Sequence, residues 1–489
     1  MSRVEDFFID SITDQGMTRE GLWYCGFVSK ILGILLRICR RKNIKVNGEF
    51  LDDKYSEKLD RLVEWYLYES FPRGKYLNNW NDSYWNPHNG LWGFQYESFP
   101  RGKYLNNWND SYWNPHNGLW GYLTIVGNRN PSLVTYIWEL LIGSKGLKTY
   151  GRDPSLNFSS LFDAYLFLPP PPVGEFKLEK TNLSIRRFCS DIGYLNVRNY
   201  WSSEATIVSF NCGKYIEGIH DQSDHNSFAL IFAGQPLVID SGAANNTDEN
   251  SPSSSLGHNL VLIDGKGQRF SGRRNGVSGK IIEYDYSEVF DYIIGDATES
   301  YNLQNYNPVN FAIRHLCFVR KPFPYVVTFD DIEASSFSDG KYHLYEYLLH
   351  IPKNFSVEKI NSNKFRLKSV ESANNCSFIL QFFNQEKLEL KIEQFQSKHN
   401  HSFANHNLLR FSTKAINPHF LAMFISEKNL ENLFIKSNKD VDNRKIVLDI
   451  LSPEWSDNLE LKFYRGKRGS LKDKLFKFQR NEMIREKKL

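Results

Sequence analysis

Four consecutive prolines, Pro169 to Pro172, divide this 489-residue chain into two parts with different apolar patterns. A proline run lacks amide donors and cannot continue a helix, so Leu168 to Gly174 reads as a stiff, extended connector. Before it, Tyr24, Phe27, Val28, Ile31, Leu35 and Ile38 recur at helical spacing. Arg37, Arg40, Arg41 and Lys42 then stand where the negative end of a helix dipole favours cations. Further helical patterns cover Lys58–Leu67 and about 121–141. After the prolines come short runs at Ala205–Asn211, Ser227–Phe232, Pro236–Ile239, Asn259–Ile263, Tyr325–Phe329 and Tyr342–Leu349. Gly, Asn, Asp and Ser clusters separate them, the pattern of an antiparallel β-sandwich. The sequence therefore predicts an α+β multidomain chain. Its parts are a helical domain over 1–168, a linker over 169–174, a sandwich over 175–464 and a basic, solvated tail over 465–489.

One segment departs from ordinary drift. Residues 68–93 recur without a single change at 96–121. Repeat arrays diverge away from their packing positions, so such identity points to a recent duplication or an assembly error rather than a solenoid. One copy is expected to be dispensable.

Composition narrows the partners. Aromatic residues make up 15% of the chain, which suits stacking on sugar rings and equally suits filling sheet cores. Net charge is +4 and no nucleic-acid-binding signature is present. The six cysteines lack the short spacings of a zinc ribbon or redox pair. Residues 1–50 show no signal-peptide layout, and the apolar stretch Phe27–Cys39 is interrupted by Ser29, Lys30 and Arg37, too short to span a bilayer. The expectation is a chain without a membrane span. It is periplasmic or secreted if the reading frame continues upstream, and cytoplasmic otherwise.

The chemistry-bearing stretch is His220-Asp221-Gln222-Ser223-Asp224-His225-Asn226-Ser227-Phe228, followed by a strand pair ending Ile239-Asp240-Ser241-Gly242 and then His258-Asn259-Leu260-Val261-Leu262-Ile263-Asp264-Gly265. These segments resemble the heparinase II/III-type polysaccharide lyases, with supporting matches at Gly267-Gln268, Gly295-Asp296-Ala297, Tyr301, Arg314 and Asp330-Asp331-Ile332. Upstream, Asp191-Ile192-Gly193-Tyr194 with Arg198 resembles the family's first sandwich strand. Glu20-Gly21-Leu22-Trp23-Tyr24 and Pro72-Arg73-Gly74 with Asn81-Asp82-Ser83 resemble its helical part more weakly. The resemblance implies a partial (α/α) toroid stacked on the sandwich, with an acidic polysaccharide in the cleft between them.

It also implies roles. Eliminating a 4-linked uronate removes the proton beside the carboxylate and protonates the leaving glycosidic oxygen, each from a group within hydrogen-bond reach. Tyr24 is implied as acid or acid/base and His220 as the opposing base, although Tyr24 also fits the packing face of an amphipathic helix. Glu20, Trp23, Asn81, His88, Asn109 and His116 are the candidate cleft-lining residues. Gln222, Asp240 and His258 match the ligands of one divalent metal, zinc or calcium. The first of these is a histidine in the family, and a neutral amide oxygen is a poor zinc ligand. Asp224 and Asn226 read as loop-shaping residues, and His225 as a surface residue. Two further readings stay open: a catalytically weak carbohydrate-binding protein of a surface-polysaccharide pathway, and a metal-dependent hydrolase.

Overall fold

The computed structural model describes residues 12–16, 32–33, 35–69, 183–190, 192–202, 204–215, 222–241, 251–270, 276–335, 341–370, 376–383, 387–395, 406–416, 418–440, 444–463 and 475–482. The proline linker, the third helical pattern and all but the first two residues of the exact repeat lie outside them.

In the N-terminal part, residues 35–41 are helical and are followed by α1 (Leu51–Lys54) and α2 (Ser56–Glu69), the latter slightly longer than the predicted Lys58–Leu67. The buried face of the first helical stretch is Leu32, Leu36 and Cys39, while the expected Ile38 is 40% exposed. Two adjacent apolar stripes run along this segment, and tertiary packing selects the one rotated by a single residue from the predicted stripe.

The strands follow in chain order. β1 (Arg186–Cys189), β2 (Tyr194–Arg198), β3 (Ile207–Asn211), β4 (Ser227–Phe232) and β5 (Gln235–Val238) form one antiparallel sheet in sequence order. Next come β6 (Val261–Ile263), β7 (Lys280–Tyr286), β8 (Phe290–Asp296), β9 (Val309–Val319), β10 (Tyr325–Ala334) and β11 (His343–Ile351). They precede β12 (Phe355–Lys359), β13 (Lys364–Ser369), β14 (Ser377–Phe382), β15 (Glu389–Phe395), β16 (His406–Ala415) and β17 (His419–Ser426). A large sheet has the order β12-β13-β14-β17-β10-β9-β8-β7, and a smaller one the order β15-β16-β11-β6. Finally β18 (Phe434–Asp440), β19 (Lys445–Leu451), β20 (Trp455–Lys462) and β21 (Phe476–Glu482) make a fourth sheet.

The middle strands of the large sheet, β8, β9, β10 and β17, are buried on both faces, and their sequence explains why. Along β17, Phe420, Ala422 and Phe424 join the core shared with β1–β6, while Leu421, Met423 and Ile425 join a second core under the fourth sheet. With side chains alternating across the pleat, a strand that must satisfy two cores reads as an unbroken apolar run. The sandwich is therefore confirmed but gains a third layer. Part of the predicted solvated tail belongs to that layer: Phe476 is buried, and Phe476–Glu482 pairs along β20. Its alternation is too short and too basic to stand out from a frayed end.

Two arginines of the first sheet grip the helical part. Arg187 Nη2 donates to the carbonyls of Gln15 at 2.5 Å and Arg61 at 2.9 Å, and Arg198 Nη2 to that of Tyr68 at 2.6 Å. The carbonyls of a helix's last turn have no partner within the helix, so a buried guanidinium suits the C-terminal end of α2. The Arg198 guanidinium also lies 3.8 Å over the Trp201 ring.

Candidate functional site

The motif loop is shaped by its backbone before any chemistry enters. Asn226 adopts φ +69, a left-handed conformation that Asn tolerates better than most residues. Its amide donates to Asn211 O at 2.7 Å and its side chain to Ala312 O at 3.2 Å. Asp224 O accepts the Ser227 amide at 2.9 Å, closing the turn into β4. Asn226 thus bonds backbone through its side chain, as expected of it, while Asp224 enters the turn through its backbone oxygen. Gly295 lies so close that an added Cβ would sit 2.0 Å from Asn226 Oδ1, so β8 needs glycine there.

His225 corrects the sequence reading. It is 3% exposed rather than on the surface, because the paired Gln268 carboxamide clamps its backbone: Oε1 accepts the His225 amide at 3.1 Å and Nε2 donates to His225 O at 2.6 Å. Burial lowers the His225 imidazole to about 4.

Asp240, just past β5, and His258, at the end of a 3-10 turn (Ser255–Gly257), meet directly. His258 Nδ1 lies 2.8 Å from Asp240 Oδ2, with both side chains fully buried. Burial lowers the His258 value, but the Asp240 carboxylate outweighs it and leaves the imidazole above its ordinary range. His258 Nε2 has no hydrogen-bond partner among the described residues. Burial likewise pushes the nearby Asp224 carboxyl up to about 6, His258 pulling it down and Asp240 pushing it further up. Gln222 is buried, and its neighbour Ser223 is stitched to the segment before His258: Ser223 N–H donates to Ser253 O at 3.1 Å, and Ser255 Oγ donates to Ser223 O at 3.0 Å.

Three side chains lock these segments together. Asn259 Nδ2 donates to Phe228 O at 2.8 Å and Ile239 O at 2.9 Å, while its Oδ1 accepts the His350 amide at 2.8 Å. Arg314 makes two bonds with Asp330, at 2.7 and 3.0 Å, and its Nη1 reaches the carbonyls of Asn226, at 2.8 Å, and Asn259. Burial lowers the Arg314 value, yet Asp330 holds it above the ordinary guanidinium range, so the charge persists. Tyr301 O–H donates to Val261 O at 2.6 Å. Arg314, Tyr301 and Gln268 stand out in the sequence only as motif matches; the structure makes them the frame of the loop.

Glu20, Trp23, Tyr24, Asn81, His88, Asn109, His116 and His220 lie outside the described residues. Of the expected metal set, Asp240 and His258 come together, but on each other. With one imidazole, one carboxylate and one amide, the set falls short of three strong zinc donors or of six calcium oxygens. Among the described residues no group of three or more His, Cys, Asp and Glu could hold a metal ion. These residues as they stand do not fit the ion that the resemblance implies.

The comparisons bear on the sandwich. Residues 183–418 match the family described as Heparinase II/III-like, C-terminal. No curated protein sequence matches the chain. A solved heparinase III superposes with a TM-score of 0.59 at 13% identity, over 99% of this chain and 61% of its own. Another structure titled heparinase III gives 0.63 at 11% identity, covering 94% and 62%. The heparan sulfate lyase HepC from Pedobacter heparinus gives 0.56 at 11% identity, covering 92% and 59%. The chain thus spans about three fifths of the length of these proteins, and at such identity the likeness shows the fold. Among the described residues no helix is long and apolar enough to cross a membrane.

Proposed function

Because residues 183–418 are a heparinase II/III-like C-terminal domain, we propose that this chain is a polysaccharide lyase acting on a uronate-containing polysaccharide by β-elimination. The observation that carries the reading is the buried unit of Asp240, His258 and the 222–227 loop, three separated motif segments joined by Asn259 and Arg314 on a sandwich of this family. In the proposed reaction His220 takes the proton beside the uronate carboxylate. That electron pair forms the carbon–carbon double bond, the bond to the glycosidic oxygen breaks, and Tyr24 delivers a proton to the leaving oxygen. A phenol, with an ordinary pKa near about 10, is matched to an alkoxide. No step is assigned to a metal.

Elimination leaves a conjugated, ultraviolet-absorbing uronate and hydrolysis leaves none, so absorbance separates the reaction classes. Heparan sulfate is the first polymer to test, with alginate and other uronate polymers beside it. Tyr24→Phe and His220→Ala are each expected to lower kcat by about 10²–10⁴-fold. The double variant should cost little more, since the two groups serve one transition state. Gln222, where the family has histidine, favours a second reading, a carbohydrate-binding protein with weak or absent catalysis. Binding of these polymers with no unsaturated product would establish that reading in place of the first.

A further inference from the structure

His350, fully buried on β11, bonds to the chain beside both members of the Asp240–His258 pair. Its backbone oxygen accepts the amide of Ile239, the residue before Asp240, at 2.8 Å. Its backbone amide donates to Oδ1 of Asn259, the residue after His258, at 2.8 Å. Its ring Nε2 lies 3.0 Å from Leu256 O, inside the turn that ends at His258. Its ring Nδ1 lies 2.7 Å from Nε2 of the buried His406 on β16.

One carbonyl sets the protons of both rings. A carbonyl oxygen only accepts, so Nε2 carries the His350 proton. Burial drives His350 well below the ordinary imidazole range, with His406, His258 and Arg410 adding to the shift and only the Leu256 carbonyl opposing it, so the ring is neutral. Nδ1 is then a lone pair, and His406 must donate to it through Nε2–H.

We propose that His350 is a positioning residue for the Asp240–His258 pair, acting through Ile239, Leu256 and Asn259 while His406 holds its ring. An apolar residue at 350 would keep both backbone bonds, so the ring's own contribution is the bond to Leu256 O. That bond sets the phase of the turn delivering His258. The consequence for activity rests on the lyase reading; the consequence for the geometry of the pair does not.

Selective ¹⁵N labelling of the histidine rings tests the geometry directly. In the unmutated chain at neutral pH, His350 and His406 should carry protons on Nε2, and His258 should carry one on Nδ1 in either charge state. A His350 protonated on Nδ1 alone would overturn the proposal. His350→Leu should shift or broaden the His258 Nδ1–H resonance. His350→Gln, whose amide can donate to Leu256 O and accept from His406, should preserve it. In eliminative turnover, His350→Leu should lower kcat about 10–100-fold with KM little changed, and His350→Gln should restore most of the loss. A folded His350→Leu chain with an unchanged His258 resonance sinks the idea. If that variant does not fold, loss of the resonance in His350→Gln sinks it instead. Should the unmutated chain cleave no uronate polymer, the lyase reading fails, and the ring spectra still decide the positioning role.

Discussion

The two faces of the central sheet are built from the same strands yet hold their neighbours by different means. Toward the first core, β9 and β10 present Arg314, Thr328 and Asp330, and Arg314 reaches past its carboxylate to the carbonyls of Asn226 and Asn259. Toward the second core, the same strands present His315, Phe329 and Asp331, under a sheet that meets them with rings and with Ile446, Leu448, Ile450, Leu459 and Leu461. That sheet also brings one buried carboxylate, Asp457, which accepts the Tyr325 O–H at 2.6 Å. Tyr292 of β8 stacks on Phe476 at 3.6 Å between centroids and 10° between planes, and its hydroxyl lies 2.5 Å from His315 Nδ1. His419 stacks on Phe463 at 4.3 Å. The difference is one of task. Irregular loops that carry a site leave backbone carbonyls in the interior, and directional charged donors must meet them. A covering sheet satisfies its own backbone and needs mainly apolar area.

The largest expected effect comes from breaking the directional face. Arg314→Met leaves the Asp330 carboxylate buried without its cation and should cost about 3–5 kcal/mol in urea unfolding. Adding Asp330→Leu should recover much of that, since a buried pair is worth less than the penalty for splitting it. Recovery of stability without recovery of the Asn226 and Asn259 loop geometry would show that the arginine is there for placement. A single variant losing under about 1 kcal/mol would erase the contrast between the faces.

Acid should act next, on the other face through His315 and His419, and beside the motif loop through the equally buried His225 and His350. Burial holds His315 and His419 neutral, at about 3 each. Both folded values lie below the unfolded value near 6.5, so between those limits the unfolded chain binds more protons and stability falls as pH falls. Each ring is expected to cost about 1–2 kcal/mol between pH 6.5 and 5, read as a declining urea midpoint. His315→Phe should flatten part of that slope; an unchanged slope would mean the histidine is not the sensor. Smaller still, Phe476→Leu should cost about 1 kcal/mol from the lost stacked ring and leave the His258 ring resonance untouched. A disturbed resonance would show that the two faces are coupled. Least of all in stability, Gln222→His should raise zinc affinity in a calorimetric titration, by supplying the imidazole that the family has there. No gain would mean that the Asp240–His258 bond does not open for an ion.

Much of this architecture was legible in local pattern. Ser227–Phe232 is a strand over the very residues predicted for it, and α2 contains the predicted Lys58–Leu67. The motif segments around Gln222, Asp240 and His258 do converge, and two of the three touch. The predicted tail was misread because β21 gains its strand character only by pairing along β20. His225 was misread because its burial is imposed by Gln268, 43 residues away. The buried stripe of the first helical stretch was misread because both neighbouring stripes are apolar.

What the sequence determined by itself is periodic or covalent. The pattern changes from helical spacing to short strand-like runs across the prolines, β17 has an unbroken apolar run, and residue identities within the His220–Phe228 and His258–Gly265 segments name a family. What only the tertiary structure decided is which groups meet across long separations. His350 finds His406 across 56 residues, and Arg314 finds Asn226 across 88. β17 enters the central sheet between β14 and β10, while β11 leaves for another. The physical reason is that alternation assigns a side chain to a face but not to a neighbour. Strand order and register assign the neighbour, and they arise from the balance of the whole core rather than from any window of the chain.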